Sequence, residues 1–313
     1  MNAFAYILAT IGPVFGILVI GYCAARFKVS SVATGPGLAQ FIFTFAIPAL
    51  IFRTIVKADL GQLDVWPVVL CFFGAVAVVW IAAGVMALIL GRSAREAAAF
   101  SFGVGFSNVL ILCLPIVLNR YGEAGMPPVL VVIALDVPLM WIAATVQIAI
   151  AGRAGGEPLH RMLGTLVMSL VRNPVIAASV AGIFWRASGV PIPDVAERFV
   201  ALLGQAALPG ALFALGMTLS GFQVRGAVRE LGVMLVLKLI ALPALVWVLA
   251  TYVFMLQPLV VAVLTLAAAC PTGVNAYLFA ARYDVMTRTV AGGIAISTAL
   301  SAITLSVILA LVS

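Results

Sequence analysis

Two short stretches of otherwise apolar sequence combine amide or hydroxyl side chains with proline. The residues are Ser107, Asn108 and Pro115 in the first stretch and Pro271, Thr272 and Asn275 in the second. Proline lacks a backbone N–H and clashes with the preceding helical turn, so a helix is expected to break at each stretch. The helix that resumes beyond a break directs its partly positive N-terminal end at it. Such a place suits an anion such as a carboxylate, with the polar side chains supplying directional hydrogen bonds.

Two ionisable residues also lie deep within apolar sequence. Asp136 is the only carboxylate well inside an apolar segment, and Lys238 is the only comparable cation. A charge at the centre of a bilayer costs on the order of 2.5–3.5 kcal/mol, so both side chains should face protein or water. For Asp136 the alternatives are proton coupling and a structural carboxyl that is neutral or paired. For Lys238 they are reaching toward the near interface and contacting a substrate or counter-ion, and an ion pair between the two residues also stays open.

The composition excludes a water-soluble globular fold. Hydrophobic residues make up 65% of the 313 residues and charged residues 9%, with a mean hydropathy of +1.27. So few polar side chains cannot cover a soluble protein of this size. The apolar stretches reach the roughly 20 residues that a membrane helix needs. We therefore predict an all-α integral membrane protein with ten transmembrane helices, at residues 4–25, 34–56, 66–90, 96–119, 127–150, 162–186, 197–220, 229–252, 257–281 and 289–312.

Sequence features recur with a shift of 161 to 162 residues. The segment 48–52 (PALIF) returns as 209–213 (PGALF), and Arg120-Tyr121 returns as Arg282-Tyr283. The two polar stretches fall in spans four and nine, at matching positions. Both copies are therefore expected to break at the same depth.

This recurrence divides the chain into two repeats of five spans each. The first repeat is residues 1–151, a linker follows at residues 152–161, and the second repeat is residues 162–313. A repeat with an odd number of spans places its second copy upside down, a construction typical of secondary transporters. The sequence thus predicts a 5+5 inverted repeat whose broken helices 4 and 9 cross.

The charge pattern indicates orientation in a membrane. The net charge is +7, but the basic residues lie at span ends and form no stripe for nucleic acid. With both termini outside, ten of them fall in inner loops and five in outer loops, as the positive-inside rule requires. No metal or cofactor is predicted, because the cysteines lack metal-site spacing and the single histidine, His160, lies in the linker. Residues 1–4 lack the basic start of a signal peptide, so span one is expected to be retained.

Short motifs in three spans follow a distinctive order. They are Ser107-Asn108, Leu114-Pro115 and Arg120-Tyr121-Gly122-Glu123 in span four, Arg172-Asn173-Pro174 in span six, and Cys270-Pro271-Thr272-Gly273-Val274-Asn275-Ala276-Tyr277 with Arg282-Tyr283 in span nine. On these motifs, and over its whole length, the chain resembles a bacterial member of the auxin efflux carrier family, a relative of the plant PIN proteins within the bile-acid/sodium symporter-like superfamily.

The resemblance implies a particular assembly and mechanism. Spans 1, 2, 6 and 7 would form a scaffold, and spans 3–5 and 8–10 a transport domain that moves like an elevator. A homodimer would form through the scaffold. By position, Asn108 and the segment 271–275 would be the substrate and crossover residues. Bacterial relatives are associated with small organic acids such as malonate and malate, and plant relatives with auxin.

These observations predict a secondary transporter of a small organic anion in the bacterial inner membrane. A carboxylate such as malonate or malate, or an auxin-like acid, would bind at the crossover, and the coupling ion, H⁺ or Na⁺, stays open. The expected partners are this acid, membrane lipids and a second copy of the chain. The alternatives are a sodium-coupled organic-acid symporter and an anion channel, although a channel should repeat polar positions along a pore. An intramembrane enzyme would need paired catalytic groups at membrane depth, and the sequence offers one buried carboxylate and no buried histidine.

Overall fold

The computed structural model describes residues 3–31, 34–57, 63–151, 164, 168, 172, 174–221 and 228–311. Within these ranges the regular structure is helical, apart from one isolated pair of bridged residues. The predicted linker, residues 152–161, and residue 173 of the span-six motif lie outside them. The helices are α1 (Ala3–Arg26), α2 (Thr34–Lys57), α3 (Val65–Ile89), α4 (Ala94–Gly105), α5 (Leu114–Tyr121), α6 (Met126–Ala151), α7 (Pro174–Ala187), α8 (Asp194–Gly221), α9 (Val228–Val253), α10 (Pro258–Ala269), α11 (Asn275–Tyr283) and α12 (Thr287–Leu311).

Helix length and composition fit a membrane. Six helical stretches in the described part of the chain are long and apolar enough to cross a bilayer, and three shorter apolar helices accompany them. On α3, the side chains of Val78, Ile81, Val85 and Leu88 are exposed, a surface better solvated by lipid than by water. The predicted all-α, multi-span membrane fold is confirmed. The count of ten spans and the inverted repeat stay predictions.

Proline shapes three of the helical stretches without opening them. In each, a π-helical turn ends two residues before a proline, and the three pairs are Ile42–Ala46 with Pro48, Val109–Cys113 with Pro115, and Leu237–Ala241 with Pro243. A proline ring clashes with the carbonyl four residues earlier, and its missing N–H leaves that carbonyl unpaired. The extra residue of a π turn widens the helix at this point. The prolines therefore bend these stretches and leave them continuous.

The helices group into two compact units. One unit contains residues 12–62 and 167–221, and the other contains residues 1–11, 63–166 and 222–313. The first depends on glycine for close helix approach, because a Cβ on Gly216 of α8 would run into the Leu18 carbonyl of α1. Small residues let membrane helices pack at such short range. The second unit holds α4, α5, α10 and α11, and we call it the crossover unit.

An aromatic cluster fixes the helices of the crossover unit around its centre. The ring of Phe102 stacks on Phe279 with centroids 4.8 Å apart and on Phe106 at 5.4 Å. Trp80 and Trp141 each meet the Phe102 ring edge-on at 5.9 Å. Phe102 and Phe279 are fully buried. Because these five rings come from α3, α4, α6 and α11 and from the residue after α4, they hold helices of both broken spans in one rigid core.

Candidate functional site

The two broken spans meet at their breaks. Span four is interrupted at residues 106–108, the first break, and span nine at residues 270–274, the second break. Ser107 and Thr272 face each other as an antiparallel bridge at this point. The two breaks are therefore paired within the crossover unit, and we call this place the crossover. The crossing of the spans as parts of an inverted repeat stays a prediction.

Backbone hydrogen bonds run between the breaks in both directions. The Asn108 N–H donates to the Pro271 carbonyl at 2.8 Å, and the Gly273 N–H donates to the Phe106 carbonyl at 3.0 Å. Lipid offers no partner to an open N–H or C=O group at membrane depth. Each break thus supplies the partners that the other has lost by leaving the helix.

The second break is also fastened by its side chains. Thr272 is fully buried, and its Oγ1 donates to the Gly103 carbonyl at 2.8 Å. The Thr272 N–H donates to Ser297 Oγ of α12 at 3.2 Å. Sequence reasoning missed Ser297. Its signal is a hydroxyl that recurs one helical turn later, at Ser301, in an apolar span.

Close approach makes glycine necessary at position 273. A Cβ there would overlap the Phe106 ring and lie 3.3 Å from the Ser107 carbonyl oxygen. The Phe106 ring cannot easily retreat, because it is held in the aromatic cluster. Gly273 therefore sets how near the two breaks lie.

The first break carries a polar group that no described residue satisfies. Asn108 is 4% exposed, and its Nδ2 makes no hydrogen bond to the described part of the chain. Buried polar atoms almost always have partners, and an unmade hydrogen bond costs about 1–3 kcal/mol. An unpartnered donor beside a helix break is the arrangement expected of a ligand site.

Lys238 points into the crossover. It lies in the π-helical turn of α9 and is fully buried, with its Nζ donating to Ser107 Oγ and, at 3.4 Å, to the Ala268 carbonyl. These contacts favour the inward alternative over a side chain that reaches for an interface. No ion pair within 4 Å joins Lys238 to Asp136, both of which the structure describes.

Asp136 is a second orphaned group in this unit. It lies on α6, is 3% exposed, and its Oδ1 accepts no hydrogen bond from any described residue. Proton coupling and a structural role both stay open for it. A direct ion pair with Lys238 is not present.

The other predicted site residues lie at helix starts. Asn275 is the first residue of α11, directly after the second break, and is half-buried. Pro115 is the second residue of α5, about two turns beyond the first break. The interruption of span four lies ahead of Pro115, at residues 106–108, and the π-helical turn Val109–Cys113 absorbs the clash of the proline ring. The structure thus gathers Ser107, Asn108, Pro271, Thr272 and Lys238, and it leaves Pro115 outside the paired segments.

Comparison with known proteins identifies the family of the chain. Residues 6–309 match the family described as membrane transport protein. The chain is 26% identical over 309 residues to the "Putative malonate transporter" of Rhizobium meliloti (strain 1021), covering 98% of this chain and 96% of that protein. It is 24% identical over 299 residues, 91% of each chain, to the "Uncharacterized transporter YfdV" of Escherichia coli (strain K12). It is also 26% identical over 246 residues to the "Lysosomal cholesterol signaling protein" of Mus musculus, covering 74% of this chain and 28% of that protein.

The family match extends over nearly the whole chain and confirms the resemblance read from the motifs of spans four, six and nine. It excludes an enzyme as the class of protein. The chain belongs to the membrane transport protein family, that of the auxin efflux carriers, and is a multi-pass membrane transporter.

Proposed function

We propose that this protein is a secondary transporter that binds the carboxylate of a small organic anion at the crossover. The observation that carries the proposal is the buried, unpartnered Nδ2 of Asn108. An amide N–H donates readily to a carboxylate oxygen, and a hydrogen bond to a charged acceptor is about twice as strong as a neutral one. A bound carboxylate would therefore satisfy the donor that the chain leaves open.

The electrostatics of the crossover favour an anion. α11 begins at Asn275, directly after the second break, so the partly positive end of its helix dipole lies beside the paired segments. The Lys238 ammonium adds a full positive charge at Ser107. A carboxylate here would experience a positive potential both from the N-terminal end of α11 and from the Lys238 ammonium.

Alternating access follows from moving the crossover unit as one body. The contact grouping of the helices, with 12–62 and 167–221 apart from the rest, supports a division into a scaffold and a moving transport domain. The antiparallel pairing of Ser107 with Thr272 supports an inverted arrangement of spans four and nine. In this proposal ten spans form a 5+5 inverted repeat, both termini face outside the bacterial inner membrane, and the scaffold mediates a homodimer.

The substrate class is a small dicarboxylate. The Rhizobium relative is named for malonate transport, and it aligns with 98% of this chain. A dicarboxylate offers one carboxylate to the Asn108 amide and keeps a second negative charge near Lys238. A channel fits less well, because the polar groups described at the crossover gather at one level.

Transport by purified protein in proteoliposomes tests this proposal. Uptake of radiolabelled malonate should saturate, and preloaded unlabelled malonate should accelerate it by counterflow. In detergent, malonate should raise the unfolding temperature, since a ligand at 100 times its Kd stabilises by about 2.7 kcal/mol.

Malonamide, which has a similar shape and no charge, is the matched control. It should neither accelerate malonate uptake nor raise the unfolding temperature. Linear, non-saturating flux would contradict a carrier. Equal stabilisation by malonamide would contradict a carboxylate site.

A further inference from the structure

A groove of about 510 Å³ opens between α9 and α12 of the crossover unit and reaches Thr265 of α10. Sites for small molecules have volumes of about 300–1,000 Å³, so the groove is large enough for a ligand. It is separate from the crossover, because no residue of the two breaks lines it. Its main lining residues are Leu239, Pro243 and Trp247 of α9 and Ile303, Val307 and Leu311 of α12.

The groove begins where α9 bends away from α12. Before the bend the two helices touch, since a Cβ on Gly293 of α12 would overlap the Met234 side chain of α9. The π-helical turn Leu237–Ala241 and Pro243 follow on α9, and beyond them the two helices lie farther apart. A π turn and a proline both bend helices. The sequence of α9 therefore builds the groove into the fold.

The lining of the groove is almost wholly apolar. Ile303 and Val307 are exposed, so the groove opens at the outer surface of the chain, which in a multi-pass membrane protein is solvated by lipid. The Thr265 hydroxyl donates to the Val261 carbonyl of its own helix. The second lining threonine, Thr304, has the carbonyl four residues earlier in its helix within reach. Neither hydroxyl requires a polar ligand.

The length of the groove matches one leaflet of a bilayer. Its lining runs from Leu239 to Trp247 on α9 and from Ile303 to Leu311 on α12, about 12 Å along each helix at 1.5 Å per residue. One leaflet of a ~30 Å hydrocarbon core is about 15 Å deep. At the end of the groove, Trp247 lies edge-on to Tyr252 with ring centroids 5.6 Å apart, and both rings are exposed. Exposed Trp and Tyr are typical of the level of lipid headgroups.

We infer that this groove is a binding site for one phospholipid, whose acyl chain lies along the bend of α9 with its headgroup at the level of Trp247. Dispersion contacts with the chain fill the space that the π turn and Pro243 leave beside α9. Leu239 lines the groove and is the neighbour of Lys238 in the π turn. An occupied groove therefore supports the turn that directs Lys238 to Ser107. Because residues 247–258 carry no charge, binding should depend on the acyl chain and not on the charge of the headgroup.

Photolabelling in detergent tests the inference on wild-type protein. Phosphatidylcholine with a diazirine in one acyl chain is titrated into purified protein, and the labelled residues are identified by mass spectrometry. Labelling in the groove should saturate, whereas labelling at Ile81 and Val85, exposed residues of α3 outside the groove, should rise in proportion to added lipid. Groove labelling that rises in the same proportional way overturns the inference.

Competition identifies the occupant. Unlabelled phosphatidylglycerol and unlabelled phosphatidylcholine should displace the probe from the groove equally well. Indole-3-acetate and malonate should leave the labelling unchanged. Displacement by either acid and not by phospholipid would identify a substrate site and overturn the inference.

Filling the groove supplies a variant test. Ala244 lines the groove and is exposed, so Ala244→Phe places a ring in the space of the acyl chain and should lower groove labelling about tenfold or more. Val78→Phe is the matched control, because it enlarges an exposed side chain of α3 outside the groove, and it should label as wild type does. Equal labelling of wild type and Ala244→Phe overturns the inference. If Ala244→Phe fails to fold, the wild-type titration and competition still decide.

Hydrogen exchange measures the support that the chain gives to α9. Adding phosphatidylcholine to wild-type protein in detergent should slow exchange of the amides at residues 237–242 and leave the middle of α3 unchanged. Ala244→Phe should show the slow rate before any lipid is added, because its ring fills the same space. Equal slowing in α3 and α9 would mean that lipid acts on the whole surface, and it overturns the inference.

Discussion

The two breaks of the crossover are alike in sequence and differ in how their polar groups are used. In the second break, Thr272 donates to Gly103 and Ser297, and Gly273 donates to Phe106. In the first break, the Asn108 side chain keeps an unpartnered donor. The comparison supports the proposal that the second break is a clasp, which holds the two broken spans together, and that the first break faces the ligand. Substitutions in the two breaks should therefore separate stability from substrate affinity.

The clasp is most sensitive at Gly273. Gly273→Ala places a Cβ on the Phe106 ring, and overpacking of this kind costs about 1–3 kcal/mol. Because relief requires the two breaks to move apart, malonate uptake should fall about a hundredfold or more. Gly232→Ala is the matched control, since its Cβ meets nothing within 4 Å. Equal uptake by the two variants would show that the spacing of the breaks does not matter.

Asn108 tests the ligand-facing side. Asn108→Ala should weaken malonate affinity about tenfold or more, because a hydrogen bond to a charged group contributes about 1.5–3 kcal/mol. It should not lower the unfolding temperature without ligand, since the amide it removes is unpartnered at Nδ2. Asn275→Ala, at a half-buried position, should lose less affinity. A fall in ligand-free stability at Asn108 would mean that this break is a clasp too.

Ser297 should give the opposite result. Ser297→Ala leaves the buried Thr272 N–H without its acceptor, and this should lower the free energy of unfolding by about 2 kcal/mol. Malonate affinity should stay within threefold. The control is Ser306→Ala, because Ser306 Oγ donates to the Ala302 carbonyl of its own helix. A large loss of affinity with unchanged stability would show that Ser297 serves ligand binding and does not stabilise the second break.

The smallest effect is expected at the Thr272 hydroxyl. Thr272→Val removes the bond to the Gly103 carbonyl and keeps the side-chain shape, so it should lower the free energy of unfolding by about 1 kcal/mol. Thr265→Val removes a hydroxyl that donates to the Val261 carbonyl of its own helix and should cost less. Thermal unfolding in detergent measures both. If the order is reversed, the link between Thr272 and Gly103 contributes nothing to the clasp.

The sequence predicted an all-helical membrane protein and interruptions in spans four and nine, because both depend on local properties. Apolar length defines a membrane helix, and clusters such as Ser107-Asn108 and Pro271-Thr272 mark where a helix cannot continue. The direction of Lys238 could not be read this way. It depends on the register of α9, which the π-helical turn at Leu237–Ala241 changes by one residue.

The hydrogen bonds between spans at the crossover could not be predicted from the sequence, for a different reason. Thr272 N–H finds its acceptor in Ser297, and nothing in the local sequence of either residue names the other. Proline was also an incomplete guide, since Pro271 lies in a break while Pro115 follows a continuous π-helical turn. Whether a proline opens a membrane helix depends on what neighbouring spans offer to the freed backbone groups.

Because the two breaks pair, the first break cannot form its hydrogen bonds until the second has been synthesised. Thr272 bonds to Gly103 across 169 residues of chain, and a ribosome adds about 5–20 residues per second. The first break therefore waits on the order of ten to thirty seconds after its own translation before its partner is synthesised. Until then the N–H and C=O groups of the first break need other hydrogen-bond partners during membrane insertion. A nascent chain released in this interval is a target for quality-control proteolysis and not half of a working carrier.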